Sequence, residues 1–293
     1  MRLRRLALLG VLVLAACAPK EILYPLAGQD VPRLHDFPAG FEPPVSAETA
    51  REIGGFGGEV DHLSHTPVIF VHGNTVSASF WLPAREHFAA AGYNIGELWA
   101  PSYGWSSVRS FDSDDLSVPT LDAFVTELQR YLKIRTGRDV QQFDIVAHSL
   151  GVTLVRQWML QTNSFHRVRN FIGVCGANHG VWTARPDARG INRVSAFELM
   201  PGSPWLAQLN RAGETPGPVR YMTLYDGIGW GDELFPKPYQ ESSALDGARN
   251  LAFNREHGTH YTHLELPRQP DTLDAMLDFL RSAHEPLPGA VPP

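Results

Sequence analysis

Short apolar runs alternate with longer amphipathic stretches through the middle of the chain, and this alternation constrains the fold more than any other feature. Val68-Ile69-Phe70-Val71 is an unbroken apolar run of strand length, and residues 80–91 follow it with helical spacing. Residues 94–98 read as the next strand. Residues 120–134 set Leu121, Phe124, Val125, Leu128, Tyr131 and Leu132 on one helical face. Further strands are expected at 143–146, 171–175, 219–224 and 251–253, and further helices at 152–161 and 272–283. Strands that are apolar throughout and alternate with helices belong to a mostly parallel sheet covered on both faces. The fold class is α/β.

The ends of the chain fall outside that pattern. Arg2, Arg4 and Arg5 precede an apolar run over 6–16, which is too short to span a bilayer, since that needs about twenty residues. Leu14-Ala15-Ala16-Cys17 closes the run and resembles the lipobox of bacterial lipoproteins. The resemblance implies a signal peptide over 1–16, cleavage before Cys17 and a lipid on its thiol. The other reading is an ordinary secretory signal with an incidental cysteine. A lipidated Cys17 leaves Cys175 as a buried thiol. Residues 17–66, with six prolines between Pro19 and Pro44 and glycines at 54, 55, 57 and 58, read as a tether and lead-in with one early strand. The domain is expected over 67–285 and a tail over 286–293. With 31 acidic against 25 basic residues and no basic block after the first five positions, nucleic acid is not a partner. Two cysteines exclude a disulfide framework and a four-thiolate metal site.

Chemistry concentrates at Ala147-His148-Ser149-Leu150-Gly151, between an expected strand and an expected helix. A serine there sits on a sharp turn with its hydroxyl projecting from the carboxyl edge of the sheet. Small residues two before and two after it let strand and helix approach closely. Ala147 stands where the pattern usually has glycine.

One strand–helix unit upstream, Pro67 to Val71 leads into His72-Gly73-Asn74. Together these segments resemble the α/β-hydrolase superfamily, specifically small bacterial lipases and esterases, over most of 67–280. The resemblance implies an oxyanion hole from the backbone N–H groups of Asn74 and Leu150. Gly176-Ala177-Asn178-His179-Gly180 is similar to the matching segment of class 2 lipases and of extracellular polyhydroxybutyrate depolymerases. Asn178 and His179 are read as structural, as are His72 and His148.

The order serine, acid, histidine of this superfamily places the base late in the chain. His257, His260 and His263 are the candidates. His260 is favoured, because with Leu264, Pro267 and the following helix it fits the family's His-x-x-x-Leu-x-x-Pro ending. No carboxylate pattern supports a metal site on these imidazoles. For the acid, the resemblance of 231–236 to a lipase acid loop favours Asp232, with Asp226 as the alternative.

The chain therefore reads as an exported serine esterase or lipase with Ser149, His260 and Asp232 as its triad. It needs no metal or organic cofactor, and it is anchored in the bacterial cell envelope through Cys17, with the outer membrane among the candidates. Its partners are a small or polymeric ester and that membrane. The alternatives are a polyhydroxyalkanoate depolymerase, a thioesterase, or a non-catalytic surface-binding lipoprotein. Trp99, Tyr103 and Trp105, with Trp182, Phe197, Leu199, Met200 and Trp205, are expected to line an apolar crevice at the sheet edge. That crevice would favour uncharged esters with acyl chains of roughly four to ten carbons. Residues 181–218 are too long for a simple connection and form either a small cap over the site or a packed surface insertion.

Overall fold

The computed structural model describes residues 34–46, 50–103, 117–184, 197–258 and 260–282. The leader, Cys17, Trp105, the tail and part of the insertion lie outside these residues. Eight strands form one sheet: β1 (His35–Asp36), β2 (Gly54–Phe56), β3 (Val68–Val71), β4 (Leu98–Ser102), β5 (Phe143–His148), β6 (Val168–Val174), β7 (Arg220–Tyr225) and β8 (Arg249–Ala252). Their spatial order is β1-β2-β4-β3-β5-β6-β7-β8, and β2 against β4 is the antiparallel pair. The helices are α1 (Leu82–Ala90), α2 (Val118–Thr136), α3 (Leu150–Thr162), α4 (Pro204–Asn210), α5 (Phe253–His257) and α6 (Pro270–Arg281). Among the described residues no helix is long and apolar enough to cross a membrane.

After β3 the chain steps outward to β4, then returns to β5 on the other side of β3. The loops leaving β3 and β5 therefore diverge, and a crevice opens between them at the carboxyl ends of the strands. Both strands are wholly buried, which is why the sequence shows them as apolar runs without alternation. Asp144 and, at the strand end, His148 are the polar residues of β5; the first of them, Asp144, is paired. Its carboxylate takes two hydrogen bonds from the Arg169 guanidinium, at 2.9 and 2.7 Å, and a third from Asn170.

Two sequence expectations shift here. The segment 94–98 is not a strand: Ile95–Glu97 is a turn of 3-10 helix, and β4 starts at Leu98. Glu97 causes this. Its fully buried carboxylate accepts the backbone N–H groups of Asn94, Ser64 and His65, which closes a capping box. The lead-in before residue 67 also joins the sheet, through both β1 and β2. Its glycines permit close approach. A Cβ on Gly57 would lie 2.2 Å from the Trp99 ring, which Phe37, Phe41 and Tyr131 box in.

The described part of the insertion packs on the domain. The Ser203 hydroxyl caps α4 by accepting the Leu206 N–H at 3.1 Å, and Leu206 and Leu209 are buried. Gly57→Ala should cost about 1–3 kcal/mol by overpacking against Trp99. The urea midpoint should drop with an unchanged slope; a wild-type midpoint would mean that β2 does not dock there.

Candidate active site

Ser149 has φ 55° and ψ −125°, a conformation that side-chain-bearing residues rarely adopt and that costs on the order of 1–3 kcal/mol. Its surroundings hold it. The Ser149 N–H donates to the Val174 carbonyl at 2.8 Å. A Cβ on Gly73 would lie 2.8 Å from Ser149 Cβ, and one on Gly151 would lie 2.4 Å from the His72 carbonyl oxygen. The fifth position of the motif must therefore be glycine. The first need not be, because Ala147 has Gly173 beside it in the sheet register.

Ser149, His263 and Asp232 form one hydrogen-bonded line. Ser149 Oγ lies 2.8 Å from His263 Nε2, and His263 Nδ1 lies 2.9 Å from Asp232 Oδ2. Asp232 Oδ1 accepts the Leu234 N–H at 3.0 Å, which fixes the carboxylate plane. The expected base, His260, is not in this line. It is exposed, whereas His263 is buried. The reason is a tight turn that opens at Thr262. Glu265 Oε2 accepts both the Thr262 N–H and its hydroxyl, while the N–H groups of Glu265 and Leu266 return to the Thr262 carbonyl. That turn aims position 263 inward, where its own N–H donates to Glu233 Oε2 at 3.0 Å. The family-like frame around Leu264 and Pro267 was three residues out of step with it.

Asp226, the alternative acid, has another task. Its Oδ2 accepts the N–H groups of Trp230, Gly231 and Asp232 at 2.8, 3.1 and 3.4 Å, and its Oδ1 accepts the Asn254 amide. Asp226 thus folds the loop that carries Asp232. Neither this role nor that of Glu233 was read from sequence; the six-residue interval between two aspartates in a glycine-rich loop was the available signal.

Three further groups crowd the site. Cys175 is a fully buried free thiol beside Asp232; burial first, then that carboxylate, push it well above its usual range, so it stays an uncharged S–H. Donor atoms of His148, Cys175 and His263 lie within 4.8 Å of one another. Both His263 nitrogens already serve Ser149 and Asp232, which fits a triad better than a metal centre. Two of the expected crevice aromatics prove to be core. Trp99 is fully buried and donates its indole N–H to the Gly96 carbonyl, and Tyr103 stacks on His72 at 4.2 Å and donates to its carbonyl. Phe37 and Phe41 of the lead-in and Tyr131 of α2 enclose Trp99 on that side of β4.

The model of the class 2 lipases matches residues 65–227, more than half of the chain. The chain belongs to the class 2 lipase family. It is a carboxylic ester hydrolase with the α/β-hydrolase fold. The mature lipase BlEst2 of Bacillus licheniformis superposes with a TM-score of 0.59 at 19% identity, over 76% of this chain and 96% of that one. Its propeptide form gives 0.58 at the same identity, over 52% of that chain. Lipase B of Aspergillus fumigatus gives 0.53 at 16% identity, over 95% of this chain and 63% of that one. At such identities the likeness is one of fold. No curated protein matches the sequence at a significant level. The family match ends before Asp232 and His263, so their assignment rests on geometry.

Burial pushes His72 down to about 4, and it pushes His148 well below its usual value, helped by the nearby His263. Unfolded histidines take up a proton near pH 6.5. The unfolded enzyme therefore binds protons first as pH falls, and the stability from these neutral imidazoles is full above about 6.5 and falls below it, in the case of His72 until about 4. For His72 the loss amounts to at most about 3 kcal/mol. Tm should fall between pH 7 and 4.5, and His72→Asn should flatten that slope. An equal slope in the variant would refute the assignment.

Proposed function

We propose that the enzyme hydrolyses uncharged carboxylic esters through an acyl-enzyme on Ser149, with His263 as base and Asp232 as its partner. One observation carries the reading: the unbroken line Ser149 Oγ–His263 Nε2–His263 Nδ1–Asp232, with spacings of 2.8 and 2.9 Å. His263 Nε2 takes the hydroxyl proton as Ser149 Oγ attacks the acyl carbon, then returns it to the departing alcohol. Asp232 accepts the Nδ1–H and stabilises the imidazolium. Water, activated by the same nitrogen, releases the acid. The N–H groups of Asn74, after β3, and Leu150, at the start of α3, are assigned to the oxyanion; at the helix start the dipole also favours negative charge. Close contact between Gly73 and Ser149 supports the Asn74 assignment.

Ser149→Ala and His263→Ala should each lower kcat on an aryl ester by about 10⁴ to 10⁶ while the fold is kept. His260→Ala should retain most activity. A His260 variant as crippled as the His263 variant would return the base to position 260.

The apolar preference rests on Trp182 and Phe197, both exposed; the Trp182 indole donates to the carbonyl of Glu233, next to Asp232. Across acetate, butyrate, octanoate and palmitate esters, kcat/KM should peak at butyrate or octanoate. A maximum at acetate would reject an apolar acyl site.

The chain is further proposed to be exported and held in the cell envelope by lipid on Cys17, on the strength of Arg2 to Arg5, the apolar run and Leu14-Ala15-Ala16-Cys17. Cys17→Ser should free it from the membrane fraction and abolish fatty-acid labelling. Unchanged fractionation without label on the wild type would reject the anchor.

A further inference from the structure

We infer that His148 is a positioning residue for His263, acting through one hydrogen bond from its Nε2–H to the His263 carbonyl. The inference rests on the triad reading above. The bond measures 3.0 Å, and the ring is buried, 4.9 Å from Phe80 and 4.6 Å from His263 between centroids. A carbonyl oxygen only accepts, so Nε2 carries the proton. The imidazole is neutral at this site, so Nδ1 is bare, and among the described residues it has no hydrogen-bond partner. A buried polar atom left unpaired is destabilising. Phenylalanine would fill the same space against Phe80 without that cost. The bond from Nε2 is therefore what a histidine contributes at this position.

That bond completes a clamp. The N–H of His263 is held by Glu233, beside the acid. Its carbonyl is held by His148, beside the nucleophile. With both backbone groups fixed, only two side-chain torsions of His263 remain, and the Asp232 contact sets them. Because His148 is covalently joined to Ser149, any displacement at the end of β5 carries nucleophile and base together, and the Oγ–Nε2 distance is preserved. Misplacement of a reacting group by about 1 Å costs on the order of 10²-fold in rate.

The test compares His148→Phe, which keeps the ring and loses the donor, with His148→Gln, which keeps an N–H of similar reach, in the full chain. The Phe variant should keep or raise Tm yet lose about 10- to 100-fold in kcat with KM little changed. The Gln variant should return to within about fivefold of wild type, by analogy with a retained donor. The far-downfield NMR proton between His263 and Asp232 should stay sharp in wild type and the Gln variant and broaden in the Phe variant. His148→Met against His148→Gln, a nearly isosteric pair, reads the same difference if the Phe variant does not fold. A Phe variant within twofold of wild type, or Gln and Phe variants equally impaired, would overturn the inference. If the wild type neither hydrolyses esters nor takes a serine-directed phosphonate on Ser149, the proposed function fails, while the NMR proton still reports on His148.

Discussion

The site depends on how closely the end of β3 approaches the turn between β5 and α3. Gly151 lies under the His72 carbonyl and Gly73 against Ser149, at distances where no Cβ fits. Those contacts hold a serine in a backbone conformation that it would leave if free. They also bring Asn74 and the first turn of α3 around the same point. The sheet order makes this possible, because β3 and β5 are neighbours whose connecting elements depart in opposite directions.

Electrostatics around Ser149, His263 and Asp232 follow a consistent division of labour. The strand-end acid, Asp226, spends its lone pairs on loop N–H groups and an amide. That leaves Asp232, held by fewer donors, free to serve His263. Desolvation keeps His72 and His148 uncharged and Cys175 protonated. None of these three groups therefore adds a charge beside His263, and under the proposed mechanism none opposes an imidazolium there.

Elements with strong periodicity were legible in the sequence. The β3 run, α2 and the strand–turn–helix around Ser149 needed only hydrophobic spacing and the small residues of the turn. Features set by tertiary contacts were not. The 94–98 segment looks like a strand until Glu97 is seen to gather, besides that of Asn94, the N–H groups of Ser64 and His65, distant in sequence. Trp99 looks like crevice lining because nothing local reveals that Phe37 and Phe41, in a proline-rich lead-in, fold back onto it, and Tyr103 because nothing local reveals its stacking on His72. The choice between His260 and His263 turned on one Thr262–Glu265 turn, a signal that was present but weaker than the family frame competing with it.

The motif after β6 extends this argument to the rest of α3. Arg156, buried in that helix, donates to the side chains of Asn178 and Asn210 and to the Glu214 carbonyl. Burial lowers the guanidinium to about 10, with Glu214 opposing, so it remains a cation at neutral pH. Asn178 in turn donates to the Ser243 carbonyl and accepts from Asn210, while His179 pairs with Glu214 at 2.8 Å. A buried cation satisfied by amide and carbonyl oxygens makes these partners costly to separate. The hub fastens α4 and the segment before β8 to the helix whose first residue follows Ser149. One helix thus starts at the N–H proposed for the oxyanion and anchors the insertion at its middle, so the loops around the site are referenced to Ser149 itself.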